Sequence, residues 1–406
     1  MARQLIRVAR LVDGNGGPPL FNQDVLVENG RIAAIGASGT LGQAEIAMVG
    51  GTLLPGLVNA HVHLRHDGVH FETPPDSQVL MAFANCRRLL GHGVTTARDT
   101  GGFGTITQTV RDAVAAGVAA GPRIISCGLG ITSTAGHGWT RWIRADSAAE
   151  LQKAVRRLVE EGVDAIKVAA TGGSMPPGSN PHSAQYSAQE LDVLVNDAHR
   201  LGRHVAAHAE AAAGIVNCVL AGVDTIEHCG WLGPDHVTRA DDQTLERMRS
   251  QGTTVVPTLC EWFRVGWEDL GALGDEESKA RAGLPFLGPY DEQPGDRRSR
   301  AALWGDMHRG GIRFAAGTDT WDPIQRELEL MVELMKVTPS EVISFATRNG
   351  AQAIGLGAET GTIEVGKSAD LLAVDGDPVA DITALRRIDR GWKVGALVVE
   401  RGLVTD

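Results

Sequence analysis

The chain has 406 residues, 43% of them hydrophobic, which is enough to bury a large core. Its formal net charge is -11 and its basic residues form no stripe, which argues against nucleic acid as a partner. The longest apolar runs have strand length, so we expect no membrane-spanning helix and no membrane partner. Residues 1–4 enter an alternating pattern without an apolar signal core, and five scattered cysteines fit reduced thiols, which predicts a cytoplasmic protein.

Short β-strands are predicted at both ends of the chain. In the first 55 residues, turn signals separate β-rich segments at Ile6–Val12, Asp24–Val27 and Arg31–Ile35. The last part of the chain returns to this pattern at Thr362–Val365, Asp370–Val374 and Val394–Val399. We therefore predict that residues 1–55 and 360–406 together form one small β-sandwich domain.

Between these ends, strands alternate with helices. The predicted strands are Leu57–His61, Val94–Arg98, Arg123–Cys127, Ala165–Ala169, His204–Ala207, Thr225–His228, Thr254–Pro257 and Arg313–Gly317. Helical segments intervene, for instance at Ala148–Glu161, Ala188–Leu201 and Gly214–Ala221. This alternation favours an α/β fold, a (β/α)8 TIM barrel over residues 56–359. Residues 260–311 are too long for an ordinary connection and predict a partly helical excursion over the top of the barrel.

The first barrel strand ends in two histidines, His61 and His63. Alternate residues of a strand point to the same side, so both imidazoles converge on one region. Two neutral imidazoles are good ligands for a borderline metal such as Zn²⁺, although this pair alone does not establish a metal site.

Other side chains that can bind metal ions also lie on or at the ends of predicted strands. The active site of such a barrel lies at the C-terminal ends of its strands. Strand four carries a lone lysine among apolar residues, and strands five, six and eight end in further candidates: Lys167, His208, His228 and Asp319.

This combination resembles the amidohydrolase superfamily. The resemblance covers nearly the whole chain and is carried by Pro55-Gly56-Leu57-Val58-Asn59-Ala60-His61-Val62-His63, followed in order by Lys167, His208, His228 and Asp319. It implies two divalent metal ions, usually Zn²⁺, although Mn²⁺, Co²⁺ and Fe²⁺ suit such ligands too. His61, His63 and Asp319 would bind one ion, and His208 and His228 the other. A carboxylated Lys167 would bridge the two ions together with a hydroxide.

Two of these residues have alternative explanations. An ammonium group beside two dications is disfavoured, whereas a lysine carbamate is an anion with two oxygens. Without modification, Lys167 would be a buried lysine paired with a carboxylate, or one whose amine reaches outward. Asp319 would pass a proton from the attacking water to the leaving nitrogen. Otherwise it would be an ordinary helix N-cap.

The loop after strand three resembles the branch of prolidase-like, Xaa-Pro dipeptidase and imidazolonepropionase-related enzymes. The similarity is carried by Ala135-Gly136-His137-Gly138-Trp139, Thr171-Gly172-Gly173-Ser174 and Gln185-Tyr186-Ser187. It implies that His137 binds or polarises the substrate carbonyl, unless it is a solvated loop histidine. Tryptophans cluster in the loops that should face the site, so the predicted substrate-binding set is His137, Trp139, Trp231, Tyr186 and Trp321. The alternative is that these indoles simply roof the barrel.

The chain departs from these relatives at positions that bear on the substrate. Glu210 follows strand five where many relatives have histidine, and Trp231 follows strand six. Arg141 and Arg144 could hold a substrate carboxylate or could be solvated.

The leading prediction is a binuclear metal hydrolase that cleaves the amide of an Xaa-Pro dipeptide or an N-acyl amino acid. An aryl amide, carbamate or urea hydrolase with an aromatic pocket is the first alternative. A cyclic-amide hydrolase or deaminase on the same barrel is another, although Lys167 counts against it. A metal-stabilised binding protein without catalysis is a third. Family precedent also predicts a homo-oligomer acting on small molecules.

Overall fold

The computed structural model describes residues 3–42, 45–65, 75–102, 104–173, 178–262, 294–320 and 322–405. Its strands are β1 Gln4–Leu11, β2 Leu20–Glu28, β3 Arg31–Ala37, β4 Glu45–Pro55, β5 Leu57–Val62, β6 Val94–Asp99, β7 Arg123–Ser126, β8 Ile131–Thr132, β9 Ile143–Arg144, β10 Ala165–Ala169, β11 His204–Ala211, β12 Thr225–Leu232, β13 Thr254–Val256, β14 Arg313–Phe314, β15 Leu371–Val374, β16 Ile388–Lys393, β17 Ala396–Glu400 and β18 Leu403–Val404.

The helices are α1 Pro75–Gly91, α2 Ile106–Ala115, α3 Ala148–Glu160, α4 Ala188–Arg200, α5 Ala212–Ala221, α6 Asp242–Gln251, α7 Leu259–Trp262, α8 Pro294–Arg309, α9 Ile324–Leu330, α10 Pro339–Phe345 and α11 Arg348–Ala353. A π-helical turn, Met331–Met335, continues α9, and a 3₁₀ helix spans Ile382–Arg386. Among the described residues, no helix combines the length and the apolar character that crossing a membrane requires.

Strands from both ends of the chain pair in one eight-stranded sheet, in the order β18-β17-β16-β15-β4-β1-β2-β3. The two ends meet where β15 runs antiparallel to β4, with Leu371 opposite Pro55. Apolar side chains from both ends form a common core, including Ile6, Leu53, Leu371 and Trp392. Strands from both ends therefore share a single sheet, in which the four C-terminal strands lie on one side of the β15–β4 pair and the four N-terminal strands on the other.

The strand predicted at Thr362–Val365 does not form. Gly361 and Gly366 bracket this segment with φ values of +92°, which turn the chain away from an extended path. Its nearest ladder contact is an isolated bridge between Arg31 and Ser368. The segment therefore lines the edge of the sheet without joining it.

All eight predicted barrel strands are present, although they form two parallel sheets. One has the order β14-β13-β12-β11-β10-β8-β9, and the other has the order β5-β6-β7. Isolated backbone hydrogen bonds link the two sheets. Asp164 N–H donates to Ser126 O at 2.8 Å, and at the other junction Ala60 N–H donates to Ala316 O at 2.9 Å. The strands thus have the barrel order without a continuous ladder around the circle.

Helices α3 and α4 illustrate how the sequence sets the outer layer. Ser147 precedes α3 and accepts a hydrogen bond from Glu150 N–H, while Ser187 and Glu190 form a reciprocal capping box at the start of α4. Leucine and valine side chains on one face of each helix are buried against the strands.

The predicted excursion over the barrel is described only at its two ends, α7 and α8. Residues 263–293, which include Phe263, Trp267, Pro285 and Pro289, lie outside the described residues. Helix α8 contacts the barrel through Trp304, whose Nε1 donates to Cys229 O at 3.0 Å.

All five cysteines are buried free thiols, as the scattered spacing predicts.

Candidate metal centre

Neighbouring parallel strands bring the predicted ligands to one end of the barrel. In the ladder, Ala169 of β10 lies opposite His208 of β11, and Ala209 lies opposite His228 of β12. The segment after β14 closes against β5, because the N–H groups of Thr318 and Asp319 both donate to His61 O at 3.0 and 2.9 Å.

Gly317 permits this approach. A Cβ at residue 317 would lie 2.7 Å from the Cβ of His61 and 3.0 Å from its backbone nitrogen. A larger residue would force the chain that carries Asp319 away from β5. The glycine of the Gly317-Thr318-Asp319 segment thus sets the position of the carboxylate.

Asp319 lies between the two histidines of the first strand. Its Oδ1 is 2.9 Å from Nε2 of His61 and 3.2 Å from Nε2 of His63. One ligand atom each from His61, His228 and Asp319 falls within a 4.8 Å cluster. The ring centroids of His208 and His228 are 4.7 Å apart, so all five histidine and aspartate side chains predicted as ligands come together.

Lys167 lies in the same region and is 1% exposed. Among the described residues, its Nζ has no hydrogen-bond partner. Burial lowers the pKa of this amine. An unpaired ammonium is costly in such a place, whereas a carbamate on Nζ would be an anion with two oxygens able to bind metal ions.

The protonation states of His208, His228 and Asp319 favour cation binding. Burial lowers the pKa values of His208 and His228 well below the ordinary histidine range, which leaves neutral imidazoles. Burial opposes ionisation of Asp319, yet the neighbouring His61 and His63 bring the pKa of its carboxyl well below the usual range. Neutral imidazoles and an ionised carboxylate are the forms that bind divalent metals, so the residues fit the two ions that the family resemblance implies.

The backbone is strained at two of these residues. His228 and Asp319 have φ values of +66° and +65°, and Cys229 and Trp231 share this left-handed region. Such conformations cost about 1–3 kcal/mol each and persist where the surroundings enforce them, often at functional sites.

His137 stands beside the predicted ligands. Its imidazole stacks on that of His208, and its backbone N–H donates to Oε1 of Gln185 at 2.6 Å. Burial lowers its pKa to about 4, so the ring is neutral at physiological pH. Trp142 meets its edge at 5.7 Å between ring centroids. Trp142 follows Trp139 by three residues and is not part of the predicted substrate-binding set.

The other predicted substrate contacts have varied surroundings. Tyr186 is buried, and its hydroxyl donates to Ala145 O at 2.8 Å. Trp231 is 1% exposed and belongs to the main apolar core, while Trp139 is half-buried. Trp321 lies outside the described residues. The substrate-binding roles of these four side chains stay predictions.

Two buried charged residues near the site were missed by sequence reasoning. Glu227 and Arg98 are fully buried, and Arg98 Nη2 donates to Glu227 Oε1 at 2.8 Å. Burial opposes the charge of Glu227, yet Arg98 and His61 bring the pKa of its carboxyl well below the usual range. The signal in the sequence that could have pointed to Glu227 was its position directly before the predicted ligand His228. Glu210 is also buried, with its Oε1 3.5 Å from Nε2 of His208.

The family model described as "Amidohydrolase family" matches residues 52–398. The chain belongs to the amidohydrolase family. Ochratoxinase of Aspergillus niger is 29% identical over an alignment of 457 residues that covers 99% of this chain and 88% of that protein. Its crystal structure has a TM-score of 0.80 at 28% identity and covers 98% of this chain and 96% of that chain.

Other relatives agree with this assignment. A crystal structure of a Xaa-Pro dipeptidase with bound methionine in the active site has a TM-score of 0.82 at 26% identity, covering 98% of this chain and 99% of that one. Imidazolonepropionase of Rhizobium rhizogenes is 25% identical, covering 91% of each chain. The resemblance drawn from the sequence is therefore confirmed, and this amidohydrolase is a hydrolase acting on carbon–nitrogen bonds in a generally metal-dependent family.

Proposed function

We propose that this amidohydrolase cleaves the amide bond of an Xaa-Pro dipeptide or an N-acyl amino acid at a centre of two divalent metal ions, which we take to be Zn²⁺. The observation that carries the proposal is the short distance between His61 Nε2 and Asp319 Oδ1, 2.9 Å. A divalent ion bound to both atoms would hold the imidazole nitrogen and the carboxylate oxygen this close together.

The proposed ligand assignment is the one that the family resemblance implies. His61, His63 and Asp319 would hold one ion, His208 and His228 the other, and a carboxylated Lys167 would bridge them. When bound, the two ions supply an activated water and polarise the scissile carbonyl. The buried Lys167 amine supports the bridge, because carboxylation removes an unpaired cation from the barrel interior.

The remaining steps belong to protein side chains. Asp319 would accept a proton from the attacking water at a carboxylate oxygen and deliver it to the leaving nitrogen, since an amine leaves poorly unless it is protonated. His137 would donate a hydrogen bond to the carbonyl oxygen, which a neutral imidazole can do through its N–H. The substrate class is supported by the relative described as a Xaa-Pro dipeptidase with bound methionine, a free amino acid.

The test is turnover by the zinc-loaded protein on five classes of compound: Xaa-Pro dipeptides, N-acyl amino acids, aryl amides, aryl carbamates and phenylureas. Lys167→Ala is compared with Lys153→Ala, which removes an exposed lysine from α3. We expect cleavage of the carboxylate-bearing compounds, abolished by Lys167→Ala and retained by Lys153→Ala.

Two results would contradict the proposal. Activity confined to neutral aryl compounds would overturn the substrate class and favour the aromatic-pocket alternative. Release of ammonia from a cyclic substrate, with Lys167→Ala still active, would overturn the two-metal centre and favour the deaminase alternative.

A further inference from the structure

A buried polar network lies beneath the candidate metal centre and joins three strands. Glu227 Oε2 is 2.6 Å from His61 Nδ1, while Glu227 Oε1 accepts from Arg98 Nη2 at 2.8 Å and from Thr225 Oγ1 at 2.5 Å. The side chains of Arg98 and Glu227 are 0% exposed, and that of His61 is 1% exposed. The network therefore connects β5, β6 and β12 out of reach of solvent.

We infer that Glu227, held by Arg98, is a positioning residue that orients His61 and fixes which of its nitrogens faces the metal. The inference rests on the proposed two-metal function. An ionised carboxylate can only accept hydrogen bonds, so the His61 nitrogen that faces Glu227 carries the hydrogen. The lone pair is then on Nε2, the nitrogen that lies 2.9 Å from Asp319 Oδ1. A hydrogen bond to the outer nitrogen of a ligand histidine also makes it a better metal ligand.

Arg98 determines which oxygen of Glu227 meets the histidine. Arg98 and Thr225 both donate to Oε1, which leaves Oε2 to His61. Arg98 Nε also donates to Ala60 O at 2.8 Å, immediately before the histidine in the chain. One guanidinium therefore fixes both the carboxylate beneath His61 and the backbone that carries it.

The experiment measures zinc affinity by competition with a chromophoric chelator, together with the melting temperature of the metal-free protein. Glu227→Gln removes the charge at nearly constant shape. We expect zinc binding to weaken by about 10- to 100-fold, the usual cost of losing an outer partner of a metal ligand. The matched control is Asp370→Asn. Asp370 has a fully buried carboxylate that pairs with Arg123 at 2.7 Å and lies in the terminal sheet region. The Asp370→Asn protein should have a lower melting temperature and an unchanged zinc affinity.

A second variant guards against a Glu227→Gln protein that does not fold. Thr225→Val removes one donor to Glu227 and one acceptor of Arg98, and leaves the hydrogen bonds of Glu227 to Arg98 and His61 in place. We expect a weakening of zinc binding of about threefold to tenfold, smaller than for a direct partner of the ligand because Thr225 acts only through Glu227.

The outcomes separate this inference from the proposed function. Zinc affinity within twofold of the unmodified protein in Glu227→Gln, or in Thr225→Val if the first variant does not fold, overturns the positioning role. An equal loss of affinity in Asp370→Asn also overturns it, because the effect would then follow general destabilisation. If Lys167→Ala binds zinc with unchanged stoichiometry and affinity, the two-metal function fails instead.

Discussion

The imidazole rings of His137 and His208 are stacked, with centroids 4.1 Å apart and planes within 7° of parallel. His208 is the proposed ligand of the second ion, and His137 is the proposed donor to the substrate carbonyl. The stack places these two groups in direct contact, so a change that moves one ring disturbs the other. Gly173 lies against both rings. A Cβ at this position would be 2.2 Å from His137 Nδ1 and 2.9 Å from His208 Nε2.

Gly173→Ala should therefore lower kcat/KM by about 100-fold, the size of effect expected when a reacting group is displaced by about 1 Å. The added methyl group must push His137 away from its present position, because no other atom can yield as easily. Steady-state kinetics at saturating zinc checks this. Gly17→Ala is the control, since a Cβ at residue 17 meets no atom within 4 Å. Unchanged kcat/KM in Gly173→Ala would show that the position of His137 does not matter to turnover.

Trp142 supports His137 from the other side. Its indole fits against glycines of the surrounding loops, and a Cβ at Gly130 would lie 2.3 Å from the ring. Trp142→Ala should lower kcat/KM by roughly 10-fold, because His137 loses the edge contact that holds it against His208. Trp392→Ala removes a buried indole from the terminal sheet core and serves as the matched control. Equal kinetic losses in both variants would assign the effect to stability.

The proximity of the candidate ligands could be predicted from the sequence, because a barrel fixes which end of each strand carries the site. The assignment of strands was enough to identify His61, His208 and His228 as candidates. Lys167 could be identified because it is a lone cation among apolar residues. The pairing of Arg98 with Glu227 could not be predicted in this way. These residues are 129 positions apart on different strands, and their contact depends on which side chains meet inside the barrel.

The pairing of strands in the terminal sheet could not be predicted from the sequence either. Turn signals and β-rich segments located the strands at both ends, but nothing in them specified that β15 would pair with β4. Pairing of strands distant in sequence depends on how whole faces pack. The segment Thr362–Val365 has the composition of a strand. The positive φ values of the flanking Gly361 and Gly366 turn the chain, so no strand forms there.

Arg123 joins the barrel to the terminal sheet region. Its Nη1 donates to Asp370 Oδ2 at 2.7 Å, and the carboxylate is fully buried. Arg123→Met should lower the free energy of unfolding by about 3 kcal/mol, since it leaves a buried carboxylate without its cation. Urea unfolding of the zinc-free protein measures this, and kcat at 25 °C should stay unchanged. Arg157→Met, which breaks an exposed pair with Glu161, should cost less than about 1 kcal/mol. Similar losses for the two variants would contradict the expected contribution of burial.

The free energy of unfolding should depend on pH through the titration of Glu327. Its carboxylate accepts hydrogen bonds from the N–H groups of Leu259 and Cys260 at the start of α7, at 2.9 and 2.7 Å. Burial raises its pKa to about 7 from the ordinary 4.5. The folded protein therefore binds more protons than the unfolded chain between these pH values. The contribution of Glu327 to the free energy of unfolding falls as pH rises through this window.

Between pH 5 and pH 7.5 the pKa shift corresponds to a fall of about 2 kcal/mol in that contribution. It is measured as the free energy of unfolding of the unmodified zinc-free protein minus that of Glu327→Gln, by urea titration at both pH values. Glu341 provides a control of opposite sign. Burial opposes its ionisation, but the hydrogen bonds from Thr338 lower the pKa of Glu341 overall. The corresponding difference for Glu341→Gln should therefore stay constant or rise slightly over the same range. A Glu327 difference that is flat or rises with pH would mean that this buried carboxyl is already ionised at pH 5.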